Sequence, residues 1–230
     1  MCFVIYTMAM QYPRKDPGHQ RIATLDIETT HSKPSQGEIV SIGVGVHDRE
    51  EPGEAATYDT FHRDSDGEAA LIRRAVGRLT EYAADGLVTY NGIGFDMDFI
   101  GSRLEQLGET VEAPEIATTP ERHLDLYVDR KQRADQEGAK WPSLEECLEA
   151  YGYPCPVTKW SGEEITARRF GEEIGPAYLR ALVDDSSQAS ALKPAIEHYL
   201  TTDLEANIAI YYADIGEDFE PYLLGTEQDY

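Results

Sequence analysis

The sequence predicts an α/β domain: a mixed sheet of five to six strands, flanked by helices. Three observations carry this. Alternating apolar residues mark three strands in close succession after residue 20, short apolar strands then alternate with helical segments, and the last third has mostly helical spacing. Consecutive strands with short links imply an antiparallel meander. Strands reached through helices imply parallel additions to the same sheet.

The elements follow in order. Residues 22–28 (Ile-Ala-Thr-Leu-Asp-Ile-Glu) and 39–46 read as strands, and residues 57–62 as a weaker third after the Pro52-Gly53 turn. Residues 67–84 have helical spacing, with Leu71, Ile72, Ala75, Val76, Leu79 and Tyr82 on one side. Residues 87–90 form a short buried strand, 95–107 a helix and 123–128 another strand. Three more helices are expected at 143–151, 163–170 and 193–215. Ser143 is placed to cap the first of these, with Glu146 at the capping-box position. The domain is expected over residues 21–216, between an N-terminal extension (1–20) and an acidic C-terminal tail (217–230). The apolar opening of residues 1–6 has no positive segment before it and no small-residue cleavage site after it, so it is expected outside the domain, with translation starting at Met8 or Met10.

Composition excludes several classes. The 230 residues are 41% hydrophobic, enough for one good core. No stretch approaches the roughly 18 apolar residues of a membrane span. The three cysteines, Cys2, Cys147 and Cys155, are odd in number and lack metal-type spacing, which argues against a disulfide framework or a zinc site and for the cytoplasm. Lys plus Arg number 20 against 43 Asp plus Glu, a formal charge of −23. Such a chain should repel nucleic acid in dilute buffer. The acids are spread along the whole chain and only 6 of the 20 bases are Lys, a pattern that resembles a halophile's protein. In concentrated salt the repulsion is screened within a few ångströms, and the sign of the net charge says little about the ligand.

With so many acids, carboxylate pairs arise by chance: about two Asp-x-Glu matches are expected and six occur, at Asp26, Asp48, Asp66, Asp135, Asp203 and Asp218. Context separates them. Asp26 and Glu28 lie inside an apolar strand, on one face, where paired charges are costly unless a cation satisfies them; the bland alternative is a solvated face. A second group, residues 90–100, runs from a short strand through a glycine-bearing loop to Asp96 in the first turn of a helix. There Asp96 is either a ligand at the carboxyl end of a strand or an acid favoured by the helix dipole. In the third, Tyr199 and Asp203 are four residues apart on one helix and share a face, whereas His198 lies roughly 140° away from Asp203.

Together the three segments resemble the three exonuclease motifs of the DEDD superfamily of 3'-5' exonucleases, whose fold is ribonuclease H-like. They are most similar to those of the proofreading domain of family-B DNA polymerases and its free-standing relatives. Leu25-Asp26-Ile27-Glu28-Thr29 matches the first motif, Tyr90-Asn91 through Phe95-Asp96 the second, and Tyr199-x-x-x-Asp203 the third. The resemblance spans about residues 22–212, in the right order.

The resemblance implies that Asp26, Glu28, Asp96 and Asp203 hold two divalent ions, Mg²⁺ or Mn²⁺. Carboxylates suit such hard cations, and two of them about 4 Å apart stabilise both the attacking and the leaving oxygen of a phosphodiester displacement. The family divides at a fifth catalytic residue. Tyr199 fits the tyrosine branch and His198 fits the histidine branch by count; helical geometry favours Tyr199, provided the helix has begun by Pro194. With an ordinary pKa near 10, Tyr199 would orient the attacking water rather than take its proton. Thr29, Asn91 and Phe95 flank the site as candidates to contact or stack on the terminal nucleotide, although Phe95 equally fits a core position. Asp125 is expected near the site but not as a ligand. Trp141 and Trp160 border a region that is either a substrate wall or, more in keeping with their type, buried packing.

The expected activity is metal-dependent 3'-5' removal of nucleotides from single-stranded ends, DNA favoured over RNA, in repair or end trimming. Two alternatives stay open: an exoribonuclease similar to ribonuclease D, and a ribonuclease H-like module that binds nucleic acid or protein without cutting.

Overall fold

The computed structural model describes residues 10–230. Its central sheet has five strands: β1 (Arg21–Thr29), β2 (Ile39–Asp48), β3 (Thr57–His62), β4 (Gly86–Thr89) and β5 (His123–Asp125), in the order β3-β2-β1-β4-β5. β1, β2 and β3 pair antiparallel; β4 and β5 are added parallel. This is the predicted meander with parallel additions.

Alternation along β1 assigns its side chains to two layers. Leu25 and Ile27 join Ile42 and Val44 of β2 under helix α1 (Glu68–Glu81) and helix α2 (Asp98–Leu107), with Leu71, Ile72, Leu79 and Phe99 completing that core. Each such side chain, fully buried, contributes about 1.5–3 kcal/mol. Thr24, Asp26 and Glu28 point the other way. That face is covered by three more helices, α3 (Leu126–Glu137), α4 (Leu144–Tyr151) and α6 (Ser187–Ile215), the last preceded by α5 (Gly175–Val183). Ser143 and Glu146 form the expected capping box of α4.

α6 lies close on the sheet because Gly43 lets it. A Cβ there would come within 2.8 Å of Leu200 and Leu204. Gly43 is also the cross-strand partner of Asp26, so the close approach occurs beside that carboxylate. Farther along the helix, Asn207 Nδ2 donates to Thr24 Oγ1 at 3.2 Å.

Four local expectations are corrected. Residues 163–170 are not one helix. Ser161 and Gly162 both have positive φ and turn the chain into β7 (Glu163–Glu164), which pairs antiparallel with β6 (Val157–Trp160). α6 begins at Ser187, capped by Ser186, so Pro194 lies inside the helix rather than at its start. The strand expected at 123–128 ends at Asp125, and α3 follows; its buried positions are Leu126, Arg130 and Ala134, and a charged residue in the middle hides the helical period. Residues 217–230 are not a free tail: Phe219 and Leu224 are buried, and β8 (Glu227–Asp229) pairs parallel with β6.

At the other end, Met10 is buried and its carbonyl accepts from Arg130 Nε at 2.9 Å. The expectation for residues 1–6 lies outside the described residues. Among the described residues no helix is long and apolar enough to cross a membrane.

Candidate active site

The carboxyl ends of β1 and β4 and the middle of α6 meet at one edge of the sheet. Asp26, Glu28 and Asp203 each bring one carboxylate oxygen within 4.8 Å of the others. Among the described residues no Lys, Arg or His pairs with any of them, nor with Asp96. Beside them opens a cavity of about 230 Å³, lined by Asp26, Glu28, Thr29, Phe95, Tyr199 and Asp203, and also by His31, Ser32, Ala167 and Gly171, which the sequence did not mark.

Asp96 is not one of these three and does not line the cavity. It is buried in a π-helical turn, Ile93–Met97, that leads into α2. Its Oδ1 accepts the Ile27 N–H at 3.0 Å, between the two acids of β1. The turn itself is built on Asp125, whose two oxygens accept the N–H groups of Asn91 (2.8 Å) and Ile93 (3.0 Å). Asn91 takes a positive φ of 67°, a conformation Asn tolerates better than most residues. It does not line the cavity; Thr29 and Phe95 do. Phe95 also packs on Phe99 at 5.6 Å.

The electrostatics express crowding without compensation. Burial pushes the Asp26 carboxyl up to about 7. Burial first, then the charges of Asp26, Asp203 and Asp96, holds Glu28 well above the ordinary carboxylate range. Asp96 and Asp203 are raised too, by burial first and by Asp26 next. An oxygen-only donor set, with Glu28 buried and Asp26 and Asp203 half-buried, whose acids resist ionisation is what hard divalent cations would stabilise. The residues present therefore fit Mg²⁺ or Mn²⁺.

Tyr199 and His198 differ in their surroundings. The Tyr199 ring stacks on Phe170 (6.0 Å, 16°) at the cavity wall. Burial, and after it Glu28, Asp203 and Asp26, raises its phenol well above the ordinary value, so it keeps its proton at neutral pH. His198 has both ring nitrogens engaged elsewhere, by Thr158 Oγ1 at 2.7 Å and Thr226 Oγ1 at 2.9 Å. It ties β6 to the C-terminal segment.

Residues 23–167, more than half of the chain, match the model of the RNase_H superfamily. The chain belongs to the RNase_H superfamily. No curated protein matches it. Among solved structures, the family B DNA polymerase from the hyperthermophilic archaeon Pyrobaculum calidifontis is similar, with a TM-score of 0.59 at 19% identity over 84% of this chain. The chain spans 24% of that polymerase's length, and the likeness is one of fold. Within this RNase_H-superfamily fold, Asp26, Glu28 and Asp203 form an acidic cluster whose oxygens lie close enough together to hold a metal ion.

Trp141 and Trp160 fall outside the cavity, as do Cys147 and His123. Trp141 is exposed rather than buried, Trp160 belongs to β6, and Cys147 is buried against Tyr90. His123 has its ring satisfied by Thr89 and Ala117.

Proposed function

We propose that this RNase_H-superfamily protein is a metal-dependent 3'-5' exonuclease, hydrolysing phosphodiester bonds at the 3' ends of single-stranded DNA. The observation that carries this reading is the meeting of Asp26, Glu28 and Asp203 with Tyr199 on one open cavity.

In this reading Asp26, Glu28, Asp96 and Asp203 hold two divalent ions. Those ions, when bound, stabilise the attacking and leaving oxygens of the displacement. The Tyr199 hydroxyl, kept protonated, donates to the attacking water and fixes its approach. Thr29 and Phe95 border the space for the terminal nucleotide, where Phe95 offers a ring for the base. Asn91 serves as the hinge of the turn that presents Phe95 and Asp96. DNA is favoured over RNA on the likeness to a DNA polymerase. A role in repair or end trimming, a cytoplasmic setting and a high-salt milieu complete the proposal. The four acids together weigh against a module that binds without cutting.

The test is degradation of 5'-labelled single-stranded DNA and matched RNA in Mn²⁺ or Mg²⁺ and high KCl. A ladder shortening from the 3' end, abolished by EDTA and by Asp26→Ala, is the expected result. Faster loss of the RNA would move the substrate class. Binding without cleavage in every condition would overturn the assignment.

A further inference from the structure

We propose that Tyr127, Lys131 and Trp141 form a second nucleobase-stacking platform, which holds a single strand outside the carboxylate cavity. The proposal rests on the nuclease reading for what brings a strand there.

Trp141 is 48% exposed, yet it is not loose. Its Nε1 donates to Asp135 Oδ1 at 2.7 Å, and its ring meets Tyr127 edge-on at 6.5 Å and 88°. Tyr127 in turn packs on Tyr90 at 5.4 Å, whose hydroxyl donates to the Pro142 carbonyl at 2.7 Å, next in sequence to Trp141. The end of β4, the first turn of α3 and the loop before α4 thus clamp one exposed indole in place. A large ring held rigid and half in water is positioned for a flat apolar ligand face.

The Lys131 ammonium lies over one face of the Trp141 ring, 4.1 Å from its centroid, and 5.7 Å from that of Tyr127, so a base would use the indole's other face. Among the described residues it has no carboxylate at ion-pair distance. Asp135, one helical turn on, is engaged by the indole instead. Most other basic side chains of this acidic surface are neutralised by neighbours, as Arg78 is by Asp59 and Arg168 by Glu172. A ring for a base beside an unpaired cation for a phosphate matches single-stranded nucleic acid in both parts.

Position agrees. Asp125 organises the turn that carries Phe95 and Asp96, and the same carboxylate caps α3 by accepting the Tyr127 N–H at 3.0 Å. The platform and the second motif therefore share one anchor at the carboxyl edge of the sheet. None of the three platform residues lines the carboxylate cavity.

Trp160→Phe leaves Trp141 the sole indole, because the chain has 2 Trp. In EDTA, an oligothymidylate of about 12 nucleotides, within the span of single-strand grooves, should quench Trp141 fluorescence. An abasic strand of equal length and polyglutamate should not, and Lys131→Gln should weaken the titration several-fold. In the cleavage assay, Trp141→Ala should raise KM for the long strand about tenfold while hydrolysis of a dinucleotide is unchanged, and Trp141→Phe should restore it. An unquenched indole, equal quenching by polyglutamate or the abasic strand, or equal losses on long and short substrates would overturn the platform. Quenching without any cleavage by the wild type would sink the exonuclease reading and leave the platform standing; cleavage with an unquenched Trp141 would do the reverse.

Discussion

Asp96 fastens the second motif to the strand of the first: its Oδ1 accepts the Ile27 N–H at 3.0 Å, although the two residues are 69 apart in sequence. One oxygen of the second motif's acid is thus used to hold the backbone between Asp26 and Glu28. Two substitutions separate that duty from the charge. Asp96→Ala leaves the buried Ile27 N–H without its acceptor and should cost about 1–3 kcal/mol of stability. Asp96→Asn keeps an acceptor and removes one of four repelling charges, so in EDTA it should melt no lower than the wild type, yet lose cleavage by about 10²-fold or more. Thermal denaturation alongside the cleavage assay reads both. Equal melting of the two variants would show that the bond carries no stability.

The same crowding makes ion binding visible without any substrate. Asp26, Glu28 and Asp203 are raised mainly by burial and, among the described residues, have no cationic side chain paired with them, so divalent ions should stabilise the fold. At a hundredfold excess over Kd the gain is about 2.7 kcal/mol. Asp26→Asn and Asp203→Asn should each raise the melting temperature in EDTA and remove most of the Mn²⁺-induced rise. A wild type that melts identically with and without Mn²⁺ and Mg²⁺ would contradict this.

Stability should fall on mild acidification through a buried histidine. The Ala117 carbonyl can only accept, so His123 donates from Nδ1 and its Nε2 accepts the Thr89 hydroxyl. Burial lowers its pKa. The unfolded chain then takes up a proton near pH 6.5, about the ordinary histidine value, while the folded chain does not. The stabilisation is complete above that pH and is lost as pH falls from there through the folded-state value. His123→Gln should lower the melting temperature near neutrality and flatten its decline toward about pH 5. Taking the difference between the two proteins cancels the opposite slope of the site acids, and parallel curves would refute the assignment.

Much of this architecture is written in period. Alternation revealed the three-strand meander and put Asp26 and Glu28 on one face; a spacing of four put Tyr199 and Asp203 on one side of α6. What stayed hidden has no periodic signal. α3 buries Arg130, paired with Asp214 at 2.5 Å, where a pattern search looks for an apolar residue. β7 is two exposed glutamates, a strand only because Ser161-Gly162 turns the chain back on β6. Asp125 acts through backbone N–H groups, which every residue but proline carries, so nothing in its neighbours' identities announces it.

Neighbouring residues on α6 should give opposite phenotypes. Tyr199→Phe removes only a hydroxyl at the cavity wall and keeps the ring on Phe170, so kcat should fall about 10²–10³-fold with folding intact. His198→Ala removes the bridge between Thr158 and Thr226 and should cost about 1–2 kcal/mol, with kcat of the folded protein little changed. Single-turnover rates beside melting curves separate the two. Loss of kcat on His198→Ala alone would transfer the role to the histidine.

The C-terminal segment should prove as necessary to the fold as a core strand. Glu205 of α6 is wholly buried, and its carboxylate accepts the N–H groups of Tyr222 (3.0 Å), Leu223 (2.7 Å) and Leu224 (2.7 Å). It answers three backbone donors that would otherwise be stranded as Phe219 and Leu224 go into the core. Burial still raises its pKa on balance, so the three bonds offset only part of the desolvation. Glu205→Ala leaves all three donors unmet and should cost about 3 kcal/mol or more; Glu205→Gln, which retains one acceptor oxygen, should cost less. Deleting residues 217–230 removes β8, the Thr226 partner of His198 and two buried side chains together. The truncated chain should unfold at lower denaturant, and Tyr199, one residue from the broken His198 bridge, should lose its fixed stack on Phe170. Hydrogen exchange along α6 measures this directly: protection near residues 198–205 should drop in the truncated and Glu205→Ala proteins, and unchanged protection would mean that the segment is only laid against the domain.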